Sequence, residues 1–342
     1  MKFLVTGGAG FIGSAFVRLL LQDTDPSRRV LNLDKLTYAG NLENLATVAT
    51  EANAARYRFV HGDICDSALV NSLMAEEQPD VIVNFAAESH VDRSILSPAP
   101  VFETNLRGTF TLLEAARTHQ IPRYVQISTD EVYGSIDPPH EADESSPLRA
   151  SSPYSASKAG ADLLTLSYFV TYRMPVTVTR ASNNYGPYQF PEKLVPLMIS
   201  NALEDKPLPI YGDGQQVRDW LYVDDHARAI LAVIERGRPG EIYNIGGSRA
   251  LPNLEVVRKI LEAVGKPESL MQTVKDRPGH DRRYALSSEK LMRETGWRVQ
   301  VPFEDGLRAT IEWYRSNAAW TARVKSGEYQ NYYQSNYGGR AL

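Results

Sequence analysis

Thr6-Gly7-Gly8-Ala9-Gly10-Phe11-Ile12-Gly13 is the stretch on which the fold turns. It follows a short apolar run, Lys2–Thr6, and leads into the helical apolar spacing of residues 13–22. Its glycines read both as Gly8-x-Gly10-x-x-Gly13 and as Gly7-x-x-Gly10-x-x-Gly13. Glycine permits a tight turn and lets the backbone approach a pyrophosphate, and the free N–H groups of the following helix favour anions. Alone, the pattern serves a plain strand-to-helix turn equally well, so its surroundings decide.

Working outward, apolar and β-branched runs predict further strands at residues 30–33, 57–60, 80–85, 123–128 and 175–179. Helical spacing fills the gaps, most clearly at 101–119 and 154–172. Strands alternating with helices predict a parallel sheet with helices on both faces. After Arg180 prolines, glycines and aromatics cluster at 185–196 and 206–214. Helices near 225–235 and Asn253–Val264 flank a strand at 241–245. The expected fold is α/β, a Rossmann-type doubly wound parallel sheet with a smaller α/β substrate-binding lobe. Residues 1–180, with returning segments at about 216–249, form the first part, and 181–215 with 250–342 form the second. The Tyr- and Asn-rich tail from Lys325 is expected to cover the second lobe or to be partly loose.

The 342 residues suit about two domains at roughly 150 residues each. With 43% hydrophobic and 23% charged residues, the chain reads as globular and not disordered. A net charge of −4 lacks the basic excess of a nucleic-acid binder. One cysteine, Cys65, excludes an internal disulfide framework and a multi-cysteine zinc site, and few histidines stand beside it, so no metal centre is expected. No apolar run approaches the roughly 18 residues of a membrane span, and Met1–Thr6 is too short for a signal peptide. A cytoplasmic location is expected.

Asp34 follows Gly13 by 21 residues, at the end of the second strand. A carboxylate there accepts a ribose 2′-hydroxyl and repels a 2′-phosphate, so NAD is favoured over NADP. Lys35 beside it weakens that preference slightly. Asp63-Ile64 would sit beside the adenine, and Phe85-Ala86-Ala87 presents small residues where a cofactor would pass. Each reads as structural by itself; together, at successive strand ends, they predict NAD binding.

Tyr154 and Lys158 stand at i and i+4, hence on one helical face. A phenol is a poor base at neutral pH. A nearby ammonium and a positive nicotinamide would favour the phenolate, so Tyr154 is expected to take a hydroxyl proton while hydride leaves for NAD⁺. Lys158 is also expected to hold the nicotinamide ribose. Thr129-Asp130-Glu131 follows the fifth strand at the edge where open α/β sheets bind ligands. Adjacent carboxylates can divide acid and base work if their surroundings separate their pKa values. Out of context the pair would read as a solvated loop. Arg218 and Arg277 are candidate diphosphate clamps, with surface ion pairs as the plainer reading. His90 lies near the expected cleft, for orienting a sugar or for catalysis; His226 is read as structural.

This set resembles the extended short-chain dehydrogenase/reductase superfamily of nucleotide-sugar enzymes, and within it the dTDP-glucose 4,6-dehydratases. The similarity runs nearly end to end, through Asp34-Lys35-Leu36-Thr37-Tyr38-Ala39-Gly40-Asn41, Ala86-Ala87-Glu88-Ser89-His90-Val91-Asp92-Arg93-Ser94, Thr129-Asp130-Glu131, Asn183-Asn184-Tyr185-Gly186-Pro187-Tyr188, Pro191-Glu192-Lys193-Leu194 and Arg277-Pro278-Gly279-His280-Asp281. The resemblance implies NAD contacts at Gly7, Gly10, Phe11, Ile12, Gly13, Asp34, Lys35, Leu36, Thr37, Asp63, Ile64, Phe85, Ala86, Ala87, Ser89, Thr104 and Asn184, besides Tyr154 and Lys158. It implies contacts to dTDP-glucose at Ser89, Asn183, Lys193, Leu194, Pro209, Tyr211, Arg218, Asn253, Arg277 and His280, besides Thr129, Asp130 and Glu131.

The implied reaction oxidises carbon 4 through Tyr154, helped by Thr129 and Lys158. It then eliminates water across carbons 5 and 6 with Glu131 as base and Asp130 as acid, and returns the hydride to carbon 6. A cofactor regenerated each turn is expected to be tightly held. The helices at 101–119 and 154–172 imply a homodimer through a four-helix bundle. Against this stand a 4-epimerase of the same fold, opposed by Asp130-Glu131, and a GDP-mannose dehydratase, opposed by Asp34. A non-catalytic NAD-binding regulator is opposed by the complete set Thr129, Asp130, Glu131, Tyr154 and Lys158. Whether the product feeds rhamnose or another deoxysugar stays open, and thymidine over uridine rests on the resemblance alone.

Overall fold

A computed structural model describes residues 1–22, 25–247 and 249–325. In chain order its strands are β1 (Lys2–Thr6), β2 (Arg29–Asp34), β3 (Tyr57–His61), β4 (Val81–Asn84), β5 (Tyr124–Thr129), β6 (Val176–Ala181), β7 (Asn183–Tyr185), β8 (Leu208–Tyr211), β9 (Val217–Tyr222), β10 (Ile242–Ile245), β11 (Ala250–Pro252) and β12 (Met271–Val274). Seven of them form one sheet in the order β10-β6-β5-β4-β1-β2-β3, parallel throughout.

Both faces of this sheet are covered, so β4, β5 and β6 are buried along their whole length. Phe3 and Val5 pack with Phe16 and Ile230 from helices Phe11–Gln22 and Val223–Arg236. Leu4, one residue out of phase, packs on the other face with Val70 and Leu112 from helices Ser67–Glu77 and Thr109–Thr118. The strand order reverses between β1 and β4, so the carboxyl ends of those strands open a crevice.

The smaller lobe holds a three-stranded sheet, β11-β9-β7, and a two-stranded one, β12-β8. Helices Leu194–Leu203, Asn253–Val264 and Phe303–Ser316 pack a second core there, including Met198, Ile199, Val256, Ile260, Leu307 and Ile311. Of the segment expected to return at about 216–249, helix Val223–Arg236 and β10 join the large sheet. β9 does not: it pairs with β7 and β11 in the smaller lobe.

One expected helix is interrupted. Instead of a single helix over 101–119, the chain forms Ala99–Phe102, a π-helical turn at Glu103–Gly108, and Thr109–Thr118. Asn105 in the widened turn accepts from the Glu88 N–H at 2.9 Å and donates to the Glu88 carbonyl at 3.0 Å. It also donates to the Ser157 hydroxyl at 2.9 Å. The bulge thus clamps the loop after β4 to the helix that begins at Pro153. Most of the tail lies outside the described residues.

Candidate active site

Two adjoining clefts meet above the sheet's carboxyl edge. The first is lined at one end by Gly7, Gly10, Phe11, Ile12, Gly13, Asp34, Lys35 and Thr37. Asp63, Ile64, Phe85, Ala86, Ala87, Ser89 and Thr104 continue its wall, and Thr129, Asp130, Glu131, Tyr154, Lys158 and Asn184 close its other end. The second is lined by Pro209, Tyr211, Arg218, Asn253, Arg277 and His280, among others. Glu131, Asn183, Lys193 and Leu194 face both.

The glycine turn is tight enough to forbid side chains. Gly7 has φ +68°, and a Cβ there would lie 2.7 Å from the Ala86 nitrogen. A Cβ on Gly13 would lie 2.2 Å from the Gly7 carbonyl oxygen. Asp34 is buried, and its two oxygens accept from the N–H groups of Ala9 at 2.9 Å and Leu36 at 2.8 Å. Burial raises its pKa, and these two donors oppose the rise. Leu36 supplies that N–H from a left-handed backbone, φ 53°. Lys35 is turned onto Asp63, 2.6 Å away, so its charge is engaged within the loop pair. A cradle closed to side chains, ending in a buried carboxylate, fits a dinucleotide.

At the other end, β5 delivers Thr129, whose hydroxyl caps the short turn Asp130–Tyr133 by accepting from the Glu131 N–H at 3.2 Å. Asp130 is 2% exposed. One oxygen accepts from the Thr129 hydroxyl at 3.2 Å; the other has no hydrogen-bond partner among the described residues. Burial, then the Glu131 charge, push the Asp130 carboxyl well above the usual carboxylate range, against Arg218. Glu131 is also raised by burial, but Arg277, Lys193 and Arg218 all pull it down. The two carboxyls therefore differ in the sense that suits an acid beside a base.

Tyr154 and Lys158 sit on helix Pro153–Tyr172, begun by the Ser152 cap and Pro153. Burial and the Glu131 charge raise the Tyr154 phenol, and a hydrogen bond with Thr129 opposes them. Lys158, placed beside Tyr154 by the spacing, turns its ammonium toward the strand. Its Nζ donates to the Ile127 carbonyl at 2.5 Å, and burial lowers its pKa to about 8.

The arginines are half committed. Arg277 pairs with Asp92 at 3.3 Å. Arg218 donates to the Val217 and Asp281 carbonyls and lies 4.2 Å from the centre of the Tyr284 ring. Lys193 donates to the Ser89 carbonyl at 2.6 Å, and His280 contacts Asp276 at 2.6 Å. Residues not singled out also reach the clefts. Glu192 takes Tyr38 at 2.9 Å and Arg93 at 3.3 Å, and Tyr284 donates to Asp281 at 2.7 Å. Glu192 stood in a matched stretch; no spacing pointed to Tyr284.

His90 and His226 both line clefts. His226 is 1% exposed, contacts Asn184 Oδ1 at 2.9 Å and has its pKa lowered to about 3 by burial. Below pH 6.5 the unfolded chain therefore binds a proton that folded His226 refuses, so stability falls on acidification. From pH 6.5 to 5 this costs about 2 kcal/mol. Urea unfolding at both pH values should show a shallower loss in His226→Gln by that amount; parallel losses would mean that His226 does not stay neutral.

The model of the GDP-mannose 4,6 dehydratase family matches residues 4–310. A dTDP-glucose 4,6-dehydratase of Shigella flexneri is 52% identical, over 99% of this chain and all of that one. The solved DesIV, a dTDP-glucose 4,6-dehydratase of Streptomyces venezuelae with NAD and dTDP bound, superposes with TM-score 0.92 at 52% identity, over 95% of this chain and all of that one. A UDP-glucose 4-epimerase of Thermus thermophilus complexed with NAD gives 0.85 at 34% identity, over 93% of this chain and all of that one.

Proposed function

The chain belongs to the GDP-mannose 4,6 dehydratase family, and on that premise we propose that it is an NAD-dependent hydro-lyase that converts dTDP-glucose to dTDP-4-keto-6-deoxyglucose and water. The observation that carries this is the unequal pair Asp130 and Glu131 beside Tyr154, where the two clefts join. An epimerase has no use for an acid and a base poised across carbons 5 and 6.

Bound NAD supplies a hydride acceptor that gives the hydride back, so turnover needs no outside oxidant. Gly7, Gly10 and Gly13 would admit its pyrophosphate, and Asp34 its adenosine ribose. Tyr154, bonded to Thr129, takes the carbon 4 hydroxyl proton. The resulting ketone acidifies the carbon 5 proton, which Glu131 removes. Asp130 protonates the carbon 6 hydroxyl, so that it leaves as water. A proton then returns to carbon 5 as hydride returns to carbon 6. Arg218 and Arg277 face the second cleft with guanidinium groups suited to the diphosphate. Purified protein given dTDP-glucose without added cofactor should yield a product lighter by one water. Unchanged mass with sugar isomerisation would replace this reading by the epimerase.

We assign NAD binding to residues 1–180 with most of 216–249, and nucleotide-sugar binding to 181–215 with the remainder. A cytoplasmic location agrees with the lone Cys65, and among the described residues no helix is long and apolar enough to cross a membrane. We also assign a homodimer. Leu96, Phe102, Phe110, Leu163, Val170 and Tyr172 are exposed on helices of the segments 91–118 and 153–172, an apolar face that suits a second copy in a four-helix bundle. Light scattering should give twice the chain mass; a monomer mass at every concentration would refute the assignment.

A further inference from the structure

The helix bearing Tyr154 and Lys158 and the turn bearing Asp130 and Glu131 are separate pieces of the fold, yet one buried polar chain joins them. Asp162 lies four residues beyond Lys158 on the same helix. Its Oδ2 accepts from Arg180 Nε at 2.9 Å, on β6. Arg180 Nη1 donates to the Tyr133 hydroxyl at 2.9 Å, and the guanidinium carbon lies 4.9 Å from the Tyr133 ring centre. The Tyr133 hydroxyl donates to Asn244 Oδ1 at 2.8 Å, on β10. Asn244 is fixed in turn by donating to the Ala142 carbonyl at 3.1 Å and, through its N–H, to Glu144 at 2.8 Å. Asp162, Arg180, Tyr133 and Asn244 are each at most 2% exposed. Tyr133 ends the short turn that Asp130 begins.

Stability is a weak reason for such a chain. Removing two charges from water is costly, and apolar replacements of buried ion pairs are often no less stable. Placement is the stronger reason. Asp130 has one oxygen without a partner among the described residues, so its own hydrogen bonds do little to aim it. The far end of its turn is tied through Arg180 to the helix carrying Tyr154. We propose that Asp162, Arg180 and Tyr133 are positioning residues that hold the acid–base turn in register with that helix, and that the Tyr133 hydroxyl is the link on which water loss depends.

This inference rests on the dehydratase reading, and wild-type protein run in parallel separates the two. Tyr133→Phe deletes one hydroxyl and keeps the ring over Arg180. In single turnovers of dTDP-glucose, water loss should slow by about tenfold, since small misplacements cost that order of rate. The oxidation at carbon 4, followed by reduced-nicotinamide absorbance, and KM should both stay within about twofold of wild type. Arg180→Lys keeps the charge but loses the fork that spans Asp162 and Tyr133; it should show the same selective slowing and serves if Tyr133→Phe does not fold. Unchanged water loss with a lowered Tm would make the chain merely structural and overturn the proposal. Equal decline of both steps and KM would overturn it as well. A wild type that loses no water would remove the dehydratase reading, and this inference with it.

Discussion

Asp130→Asn should leave oxidation at carbon 4 near the wild-type rate and slow the loss of water by about 10²–10⁴-fold, the usual contribution of a positioned general acid. The amide has nearly the same shape and can still accept from Thr129, so the turn should keep its form. What it cannot do is deliver a proton to the leaving hydroxyl. Asp130 can, because burial and the neighbouring Glu131 charge hold it protonated well above the usual carboxylate range. Its second oxygen, unpartnered among the described residues, is free to present that proton. In a single turnover the variant should form reduced nicotinamide promptly and hold it, because the step that consumes it waits on water loss. Equal slowing of both phases would strip Asp130 of the acid role.

Tyr154→Phe should act one step earlier, slowing oxidation at carbon 4 itself by about 10²–10⁴-fold. The protein's own surroundings do not make this phenol acidic. Burial and Glu131 hold its proton on, and Lys158 is committed to the Ile127 carbonyl. The hydrogen bond with Thr129 works the other way. The phenol should therefore act as a base only in company with an oxidised nicotinamide, whose positive charge favours the phenolate. That coupling would restrain proton removal until the hydride acceptor is in place. Stopped-flow traces of Tyr154→Phe with reduced nicotinamide forming at the wild-type rate would exclude Tyr154 as the main base.

Much of the site was legible because its chemistry is local in sequence. Gly7 to Gly13 lie within one turn, and Asp34, Asp63-Ile64 and Phe85-Ala86-Ala87 follow at successive strand ends, so the set taken together predicted a dinucleotide cradle. Thr129-Asp130-Glu131 is contiguous, and Tyr154 and Lys158 share a helical face. What stayed hidden depends on distance and direction. The Asp162–Arg180 pair joins a helix to a strand, and nothing in either segment announces the other. Tyr284 reaches the second cleft from a loop far along the chain. Periodicity marked 101–119 as helical, but not that Asn105 would anchor the Glu88 loop through a widened turn. Spacing put Lys158 beside Tyr154; only the folded structure turns its ammonium to a carbonyl. Leu36 lay in a matched stretch, yet it acts through its backbone, which no side-chain pattern reports.

The measurement that tests the central claim most directly uses dTDP-glucose deuterated at carbon 4, with the product read by mass spectrometry and NMR. The account predicts loss of one water and deuterium on carbon 6, because the hydride removed from carbon 4 is returned within the same active site. An isomer recovered without water loss would contradict it, make this chain an epimerase, and leave Asp130 and Glu131 without the roles assigned to them.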